Sequence, residues 1–256
     1  MDDERILHEQ EYATAATVEA FQQNLQRVRE CIKAAAQRAG REASDVRLLP
    51  VSKTVPVDRI RLGIEAGITE LGENKVQEGY RKWEELIDTG VRWCVIGNLQ
   101  TNQAKFVARF ADEFQALDRA RVAEALNRRL ELEDRTLDVF VQVNTSNEES
   151  KYGVAPADLP QLLRDVQQFE RLNVRGLMTL AVFSTDPALV RPCFRRLRSL
   201  RAQMQDDLGL GNLTELSMGM SGDFELAIEE GATVVRVGQA IFGARGVPDS
   251  HYWPRA

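Results

Sequence analysis

Hydrophobic and polar residues along this 256-residue chain follow two different periods, and the period changes at regular intervals. Near the N-terminus the apolar side chains recur at steps of three and four, at Val18, Phe21, Leu25, Val28, Ile32 and Ala35. That spacing places them on one face of a helix, and Gly40 is suited to end it. The pattern therefore predicts an amphipathic helix within residues 13–40.

After this helix, short apolar runs alternate with longer segments of helical period. The apolar runs predict eight strands, at about 47–53, 70–74, 93–97, 113–118, 137–144, 173–180, 215–220 and 233–238. The segments between them predict helices at 56–66, 75–88, 101–110, 119–134, 157–170, 188–208 and 223–230, with a short helical turn after Gly238.

Several of these boundaries have a physical cause. Pro56 and Pro156 suit the first turn of a helix, where the missing N–H group costs nothing. Gly67 and Gly231 suit helix ends that need a positive φ. Pro192 falls inside the predicted helix 188–208, so we expect that helix either to begin late or to bend.

Strands that alternate with helices favour a parallel sheet with helical crossovers. Eight such units in a chain of this length favour a single (β/α)8 barrel of the TIM type. A doubly wound sheet is the alternative, since the pattern does not give the strand order. We expect one domain over 1–256, with the N-terminal helix at 13–40, the barrel at 46–243 and a C-terminal tail at 244–256.

The composition excludes several classes of protein. The net charge is −6, and no stripe of basic residues indicates nucleic-acid binding. No apolar run approaches the roughly 20 residues that span a bilayer, and the charged, polar N-terminus is unlike a secretory signal. We therefore expect a cytoplasmic protein without membrane or nucleic-acid partners.

Cysteine and histidine usage argues against a metal site. The three cysteines, Cys31, Cys94 and Cys193, are far apart and form neither a zinc pattern nor a disulfide framework. Both histidines, His8 and His251, lie near the termini, so a central histidine base is not expected. We expect no metal and a reducing compartment.

In a barrel of this type, functional residues gather at the carboxyl ends of the strands. The first strand, in "LLPVSKTVP" (48–56), ends in Lys53. A lysine there either reaches back to solvent or presents a nucleophilic amine to a carbonyl group. The residue alone favours the first interpretation, and the other strand ends decide between them.

The ends of strands seven and eight favour a phosphate site. In "SMGMSGDFELAI" (217–228), two glycines allow a tight turn, and Ser221 with nearby N–H groups precedes a helix. In "VRVGQAIFG" (235–243), Gly238 ends the strand, and Gln239 begins a helical turn. Loops after these two strands are the usual phosphate site of the barrel. Two ordinary glycine turns are the alternative interpretation.

Arg236 lies two residues before Gly238 and therefore shares its face of the strand. Its side chain either pairs with a buried carboxylate or contacts a ring or phosphate of a ligand. Together with Lys53 and the phosphate loops it suits a phosphorylated aldehyde, of which pyridoxal 5′-phosphate is the common one. An aldolase acting on a sugar phosphate is also possible, with Glu73 or Asp118 as its acid or base.

The sequence resembles the pyridoxal phosphate homeostasis protein family over residues 18–243. The motifs that carry the resemblance, in chain order, are "LLPVSKTVP" (48–56), "LGENKVQE" (71–78), "IGNLQTN" (96–102), "QVNTSNEESKYG" (142–153), "RGLMTL" (175–180), "ELSMGMSGDFELAI" (215–228) and "VRVGQAIFG" (235–243).

The resemblance implies a barrel like the N-terminal domain of alanine racemase, with pyridoxal 5′-phosphate as its cofactor. Lys53 matches the lysine that holds the cofactor as a Schiff base, and Arg236 matches the arginine that faces the pyridine nitrogen. The other implied cofactor-binding residues are Asn74, Met218, Ser221, Gly238 and Gln239. We expect the methionines of this region to contribute packing and not chemistry.

The chain departs from the family pattern at three positions. Cys94 and Gln103 stand where a histidine and a lysine are usual, and Lys75 replaces a more usual tyrosine or other neutral residue. These differences affect the expected mouth of the site. Lys151 matches a family position that shapes the site.

The resemblance implies a protein that carries or buffers the cofactor in vitamin B6 and amino-acid homeostasis, without established catalysis. The alternative is a racemase-like enzyme, which needs an acid or base on each face of the cofactor. None of Tyr12, Tyr80, Tyr152 and Tyr252 lies in a motif that presents such a base. Other expected partners are apo forms of cofactor-dependent enzymes or regulatory proteins, and we expect a monomer.

Overall fold

The structure is a computed structural model that describes residues 12–146, 148 and 152–244. Several positions considered in the sequence lie outside these ranges: residues 1–11, Lys151, Tyr252 and nearly all of the expected tail at 244–256. Within the described ranges, no helix has the length and apolar character needed to cross a membrane.

The described residues contain eight strands, all in one parallel sheet. They are β1 (Arg47–Pro50), β2 (Glu70–Glu73), β3 (Arg92–Val95), β4 (Glu113–Leu117), β5 (Leu137–Gln142), β6 (Leu172–Met178), β7 (Glu215–Ser217) and β8 (Val234–Val237).

The strands follow one another around the sheet in chain order, and β8 returns to pair with β1. Between β1 and β2, a parallel bridge joins Val51 to Gly72, and the Ser52 N–H group donates to the Gly72 carbonyl at 3.0 Å. These contacts bring the two ends of the sheet together. The result is a nearly closed barrel, which confirms the predicted fold and excludes the doubly wound sheet.

Helices surround the sheet and connect successive strands. Those in the described ranges are α1 (Val18–Arg38), α2 (Val57–Glu65), α3 (Val76–Glu85), α4 (Ala104–Phe110), α5 (Ala120–Leu132), α6 (Leu159–Val166), α7 (Pro187–Leu208), α8 (Phe224–Glu229) and α9 (Gln239–Phe242). Short 3-10 turns occupy Ala43–Asp45, Ile87–Thr89 and Thr101–Gln103.

The helix boundaries agree with the sequence at the glycines and differ at the prolines. Gly67 and Gly231 both have a φ of 103°, as their positions after helices require. Pro56 is the N-cap residue of α2 and lies one residue before the first turn of the helix. Pro156 does not begin a helix, because a turn closed by Asp158 N–H and the Ala155 carbonyl comes first.

Pro192 lies inside α7, which begins at Pro187. Of the two expected outcomes, a late start is therefore excluded, and a bend at Pro192 stays a prediction. Asp186 caps the helix by accepting from the Ala188 N–H group at 2.8 Å, so the helix has a defined start five residues before Pro192.

Helix α1 packs against the elements that follow β7 and β8. Its buried face includes Phe21, whose ring meets that of Phe242 in α9 edge to face, with centroids 5.5 Å apart. Asn24 donates to the Ile241 carbonyl at 3.0 Å, and Arg59 of α2 donates to the carbonyls of Ala15 and Phe242. The N-terminal helix thus fixes α9, which begins directly after the end of β8.

We expect Phe21→Ala to lower the free energy of unfolding by about 3–5 kcal/mol, because a fully buried ring would leave a cavity between α1 and α9. Gln22→Ala, at an exposed position on the same helix, is the control and should change stability by less than about 0.5 kcal/mol. Chemical denaturation measures both. Equal effects would show that α1 is not packed in this way.

Candidate functional site

A cavity of about 1060 Å³ lies at the carboxyl ends of the barrel strands. It brings together six of the residues that the sequence analysis assigned to cofactor binding: Lys53, Asn74, Ser221, Arg236, Gly238 and Gln239. Met218 is fully buried and is not part of the cavity wall, whereas its neighbour Met220 is.

Lys53 lies in a tight turn that follows β1. The turn is closed by a hydrogen bond from the Val55 N–H group to the Ser52 carbonyl at 3.0 Å. Within it, Thr54 has a φ of 67°, which is unusual for a residue with a branched Cβ. Lys53 is partly exposed and lines the cavity. Its position therefore suits an amine that meets a ligand from the cavity.

Arg236 is almost completely buried in the wall. Its guanidinium donates to the Ser217 hydroxyl at 2.6 Å and to the Thr179 carbonyl at 2.8 Å. Both acceptors are neutral, and no carboxylate in the described part of the chain forms an ion pair with it. The sequence left open whether Arg236 pairs with a buried carboxylate, and in this structure it does not.

Burial lowers the pKa of Arg236 to about 10, although the charge of Asp223 acts in the opposite direction. The guanidinium therefore remains charged at neutral pH. Two of its five N–H groups serve the bonds to Ser217 and Thr179, so among the described residues three donors are left for another acceptor. A buried cation whose hydrogen-bond partners are neutral favours a ligand atom that accepts a hydrogen bond.

A chain of buried hydrogen bonds holds Arg236 in place through the barrel interior. Ser217, which accepts from Arg236, donates to the Gln115 amide oxygen at 2.6 Å. The Gln115 amide nitrogen donates to Glu113, and Glu113 accepts from Arg47 at 2.8 Å. The chain runs from the cavity to the opposite end of the barrel, so the rotamer of Arg236 is set by fixed partners.

Ser221 and Gly238 meet between the ends of β7 and β8. The Gly238 N–H group donates to the Ser221 hydroxyl oxygen at 3.2 Å. Gln239 and Ala240 follow in the first turn of α9, where N–H groups have no acceptor within the helix, and both line the cavity. A hydroxyl beside such N–H groups suits the oxygens of a phosphate.

Asn74 follows β2 and is held against the segment after β3. A Cβ atom added to Gly97 would lie 1.9 Å from the Asn74 backbone carbonyl oxygen, so a glycine is needed at 97. Gly97 and Asn74 both line the cavity. The close approach of these two segments therefore fixes the part of the wall that carries Asn74.

The two carboxylates considered for an aldolase do not line the cavity. Glu73 is fully buried and accepts from Ser52 and Lys82 at 2.6 and 2.8 Å. Asp118 accepts from Arg119 and Asn98, and burial raises its pKa. Neither group is placed to exchange protons with a ligand in the cavity.

The departures from the family pattern fall in different places. Cys94 is fully buried near Glu70 and Glu113, away from the cavity wall, and burial raises the pKa of its thiol. Gln103 and Lys75 do line the cavity, and Gln103 donates to Gln77 at 3.1 Å. Two of the three departures therefore alter the mouth.

Part of the cavity wall comes from segments other than the strand ends, and the sequence pattern did not predict this part. Tyr12, Arg27 and Cys31 bring the N-terminal segment and α1 to the cavity, and Tyr152 and Phe183 contribute from the segments after β5 and β6. Arg27 and Cys31 are four residues apart and so share one face of α1. That spacing was visible in the sequence but did not indicate a cavity.

A family model described as alanine racemase, N-terminal domain, matches residues 17–246. Together with the closed parallel barrel, this match defines the class of the protein. The alanine racemase of Clostridium difficile has the same fold, with a TM-score of 0.68 at 13% identity over 91% of this chain and 59% of that one.

Curated relatives define the family more closely. The pyridoxal phosphate homeostasis protein of Aquifex aeolicus is 42% identical over 223 residues, which are 87% of this chain and 97% of the relative. The protein of that name in Pseudomonas aeruginosa is 43% identical over 89% of this chain and 98% of the relative. The chain therefore belongs to the pyridoxal phosphate homeostasis protein family, as its motifs suggested.

Two solved structures are similar over nearly their whole length. A protein of unknown function from Bifidobacterium adolescentis has a TM-score of 0.83 and 34% identity, covering 90% of this chain and 99% of that one. PipY of Synechococcus elongatus, solved with pyridoxal phosphate bound, has a TM-score of 0.78 and 33% identity, covering 87% of this chain and all of PipY.

We expect Gly97→Ala to displace Asn74 and to lower the free energy of unfolding by about 1–3 kcal/mol or more, because the new methyl group would overlap the Asn74 carbonyl. Gly211→Ala is the matched control, since a Cβ there meets nothing within 4 Å. Denaturant melts of both variants give the comparison. Equal stability of the two variants would contradict the close approach at Gly97.

Proposed function

We propose that this protein binds pyridoxal 5′-phosphate through Lys53 and carries or buffers it within vitamin B6 and amino-acid homeostasis. The observation that carries the proposal is the wall of one cavity, where Lys53, the Ser221–Gly238 pair and Arg236 come together. The family and the PipY complex support the same ligand.

The residues of the cavity fit this cofactor. Pyridoxal phosphate supplies an aldehyde that condenses with a primary amine with loss of one water, an aromatic ring with a basic nitrogen, and a phosphate. Lys53 offers the amine. Ser221, Gly238 and Gln239 would hold the phosphate oxygens, and Arg236 would donate to the ring nitrogen.

Arg236 also argues against efficient amino-acid chemistry. Its charge disfavours a second positive charge on a ring nitrogen that it faces. A ring nitrogen without a proton withdraws electron density from a reacting amino acid less strongly than a protonated one. The guanidinium therefore favours binding of the cofactor over catalysis with it.

A racemase-like enzyme is the second candidate, and the placement of two tyrosines favours it. Tyr12 and Tyr152 both line the cavity, although no motif in the sequence presented them as a base. Burial, and then the nearby Cys31, raise the pKa of Tyr12, so its hydroxyl stays protonated at neutral pH. Tyr152 is 64% exposed. The protonated Tyr12 hydroxyl is not activated as a base, which keeps this candidate second.

The cellular location, the oligomeric state, the domain organisation and the protein partners are also proposals. A cytoplasmic location, a monomeric state and a single domain over 1–256 remain predictions from the sequence. Transfer of the cofactor to apo enzymes, or docking of a regulatory protein, would act through the exposed rim of the cavity, where Tyr152 and Phe183 expose more than half of their surface.

Borohydride reduction of the protein loaded with pyridoxal phosphate should fix the cofactor on Lys53, because this amine lies in the wall beside the Arg236 and Ser221 sites. Peptide mass spectrometry locates the adduct. Lys53→Ala should lose the visible absorbance of the bound cofactor, whereas Lys75→Ala, at another lysine of the wall, should retain it. An adduct found chiefly on Lys75 or Lys151 would refute the assignment.

Ser221→Ala should weaken binding of pyridoxal phosphate, since the hydroxyl contributes a hydrogen bond to a charged group worth about 1.5–3 kcal/mol. That range corresponds to roughly tenfold to a hundredfold in Kd. Ser184→Ala, at another serine of the wall, is the control and should change Kd little. Absorbance titration with pyridoxal phosphate and with pyridoxal gives the values, and equal affinity of the wild type for the two aldehydes would contradict a phosphate site.

A further inference from the structure

Two charged side chains of α3 hold the backbone on either side of Lys53. Lys82 donates to the carbonyl of Ser52, the residue before Lys53, at 2.8 Å. Glu78 accepts from the N–H group of Thr54, the residue after Lys53, at 2.7 Å. Lys82 and Glu78 are one helical turn apart and form an ion pair at 2.7 Å. The two residues that flank Lys53 are thus tied to one pair of helix side chains.

Lys82 is unusual because it is a buried cation. It is 6% exposed, and its ammonium donates to the Ser52 carbonyl, Glu73 and Glu78, which uses all three of its donors. Burial of an ammonium is costly unless it is paired and fully hydrogen-bonded. The buried ammonium therefore joins the backbone before Lys53 to two carboxylates, Glu73 and Glu78.

Thr54 explains why the turn needs such support. Its φ of 67° lies in the left-handed region, which a residue with a branched Cβ rarely adopts. Conformations of this kind persist where the surroundings determine them, and they cluster at functional sites. The hydrogen bonds of Thr54 to Glu78 and of Val55 to Ser52 supply that constraint. Without them, the turn would relax toward an ordinary φ and redirect the Lys53 side chain.

We propose that Glu78 and Lys82 are positioning residues that aim Lys53 into the cavity. The inference rests on the proposed role of Lys53 and adds that its reactivity depends on the strained turn. Glu78 and Lys82 are not among the residues that line the cavity, so they act through the backbone of residues 52–54 and not by contact with a ligand.

The decisive comparison is between Glu78→Ala and Glu78→Gln. Alanine removes the acceptor of the Thr54 N–H group, whereas glutamine retains a side-chain oxygen at the same reach. We expect Glu78→Ala to raise the Kd for pyridoxal phosphate about tenfold, equivalent to about 1.4 kcal/mol. Glu78→Gln should stay within about threefold of the wild type, which is below 1 kcal/mol.

The control variant is Arg135→Met, which removes a charged side chain at the other end of the barrel. Arg135 donates to the carbonyls of Ala108 and Ala111 at 2.8 Å, before β4 and β5 begin. The variant should lower the thermal midpoint of the apo protein, as we also expect for Glu78→Ala, and leave the Kd unchanged. Suppose that Arg135→Met raises the Kd as much as Glu78→Ala does. Lower stability alone would then explain the weaker binding, and the proposal would be overturned.

A second readout needs no cofactor. Hydrogen exchange of the Thr54 amide, followed by NMR in the apo protein, should be slow in the wild type and in Glu78→Gln and fast in Glu78→Ala. Thr54→Gly combined with Glu78→Ala should recover most of the lost affinity, because glycine adopts this φ without steric strain. Wild-type affinity in Glu78→Ala, or no recovery in the double variant, would overturn the proposal.

These outcomes separate the inference from the proposed function. If borohydride places no adduct on Lys53 of the wild type, the proposed function fails. If the wild-type adduct is on Lys53 and Glu78→Ala binds normally, the positioning role alone fails. Should Glu78→Ala not fold, Glu78→Asp, which keeps the charge but is one methylene shorter, is judged by the same Kd and exchange criteria.

Discussion

The closure of the barrel between β1 and β2 is the contact on which the site depends. The bridge from Val51 to Gly72, with the hydrogen bond from Ser52 to the Gly72 carbonyl, joins the first and last strands of the sheet order. Lys53 follows Ser52 directly in the turn after β1, and Asn74 lies two residues after Gly72, just past the end of β2. Closure therefore delivers both side chains to the same cavity, and neither would be placed by its own strand alone.

The buried arginines at the two ends of the barrel interior have different kinds of partners. At the opposite end, Arg47 is paired with Glu70 and Glu113, and these carboxylates raise its pKa in spite of the burial that acts against it. At the cavity, Arg236 has neutral partners and its pKa is lowered. Arg47 therefore belongs to a structural ion pair. Arg236 keeps donors for a ligand, and that difference supports a binding role at the cavity end of the barrel.

The sequence predicted the parts of this structure that depend on local chemistry. The change of period gave the alternation of strands and helices, and glycines at 67 and 231 gave the positive φ that ends two helices. Strand ends were less predictable. The predicted strand 215–220 ends at Ser217, although Met218 and Gly219 still form backbone hydrogen bonds to β8, and Gly219 has a φ of 94°, which is not extended backbone. Residues beyond that point form the wall of the cavity.

Features that depend on distant contacts could not be predicted from the pattern. A lysine such as Lys82 in an amphipathic helix is expected to face solvent, and its burial follows from partners on β2 and the turn after β1. Met218 was assigned to the site by a motif, and the structure places its side chain in the core. The contribution of α1 to the cavity follows from packing against α8 and α9.

We propose that the cavity holds pyridoxal phosphate without turning over amino acids, since Arg236 would limit the electron demand of the ring and burial keeps the Tyr12 hydroxyl protonated. Proton NMR of alanine incubated with the loaded protein in deuterated buffer tests this claim most directly. The account predicts little or no loss of the α-proton signal beyond that caused by free cofactor. Exchange at an ordinary enzymatic rate, about 1 s⁻¹ or faster, would contradict it and favour the racemase-like enzyme.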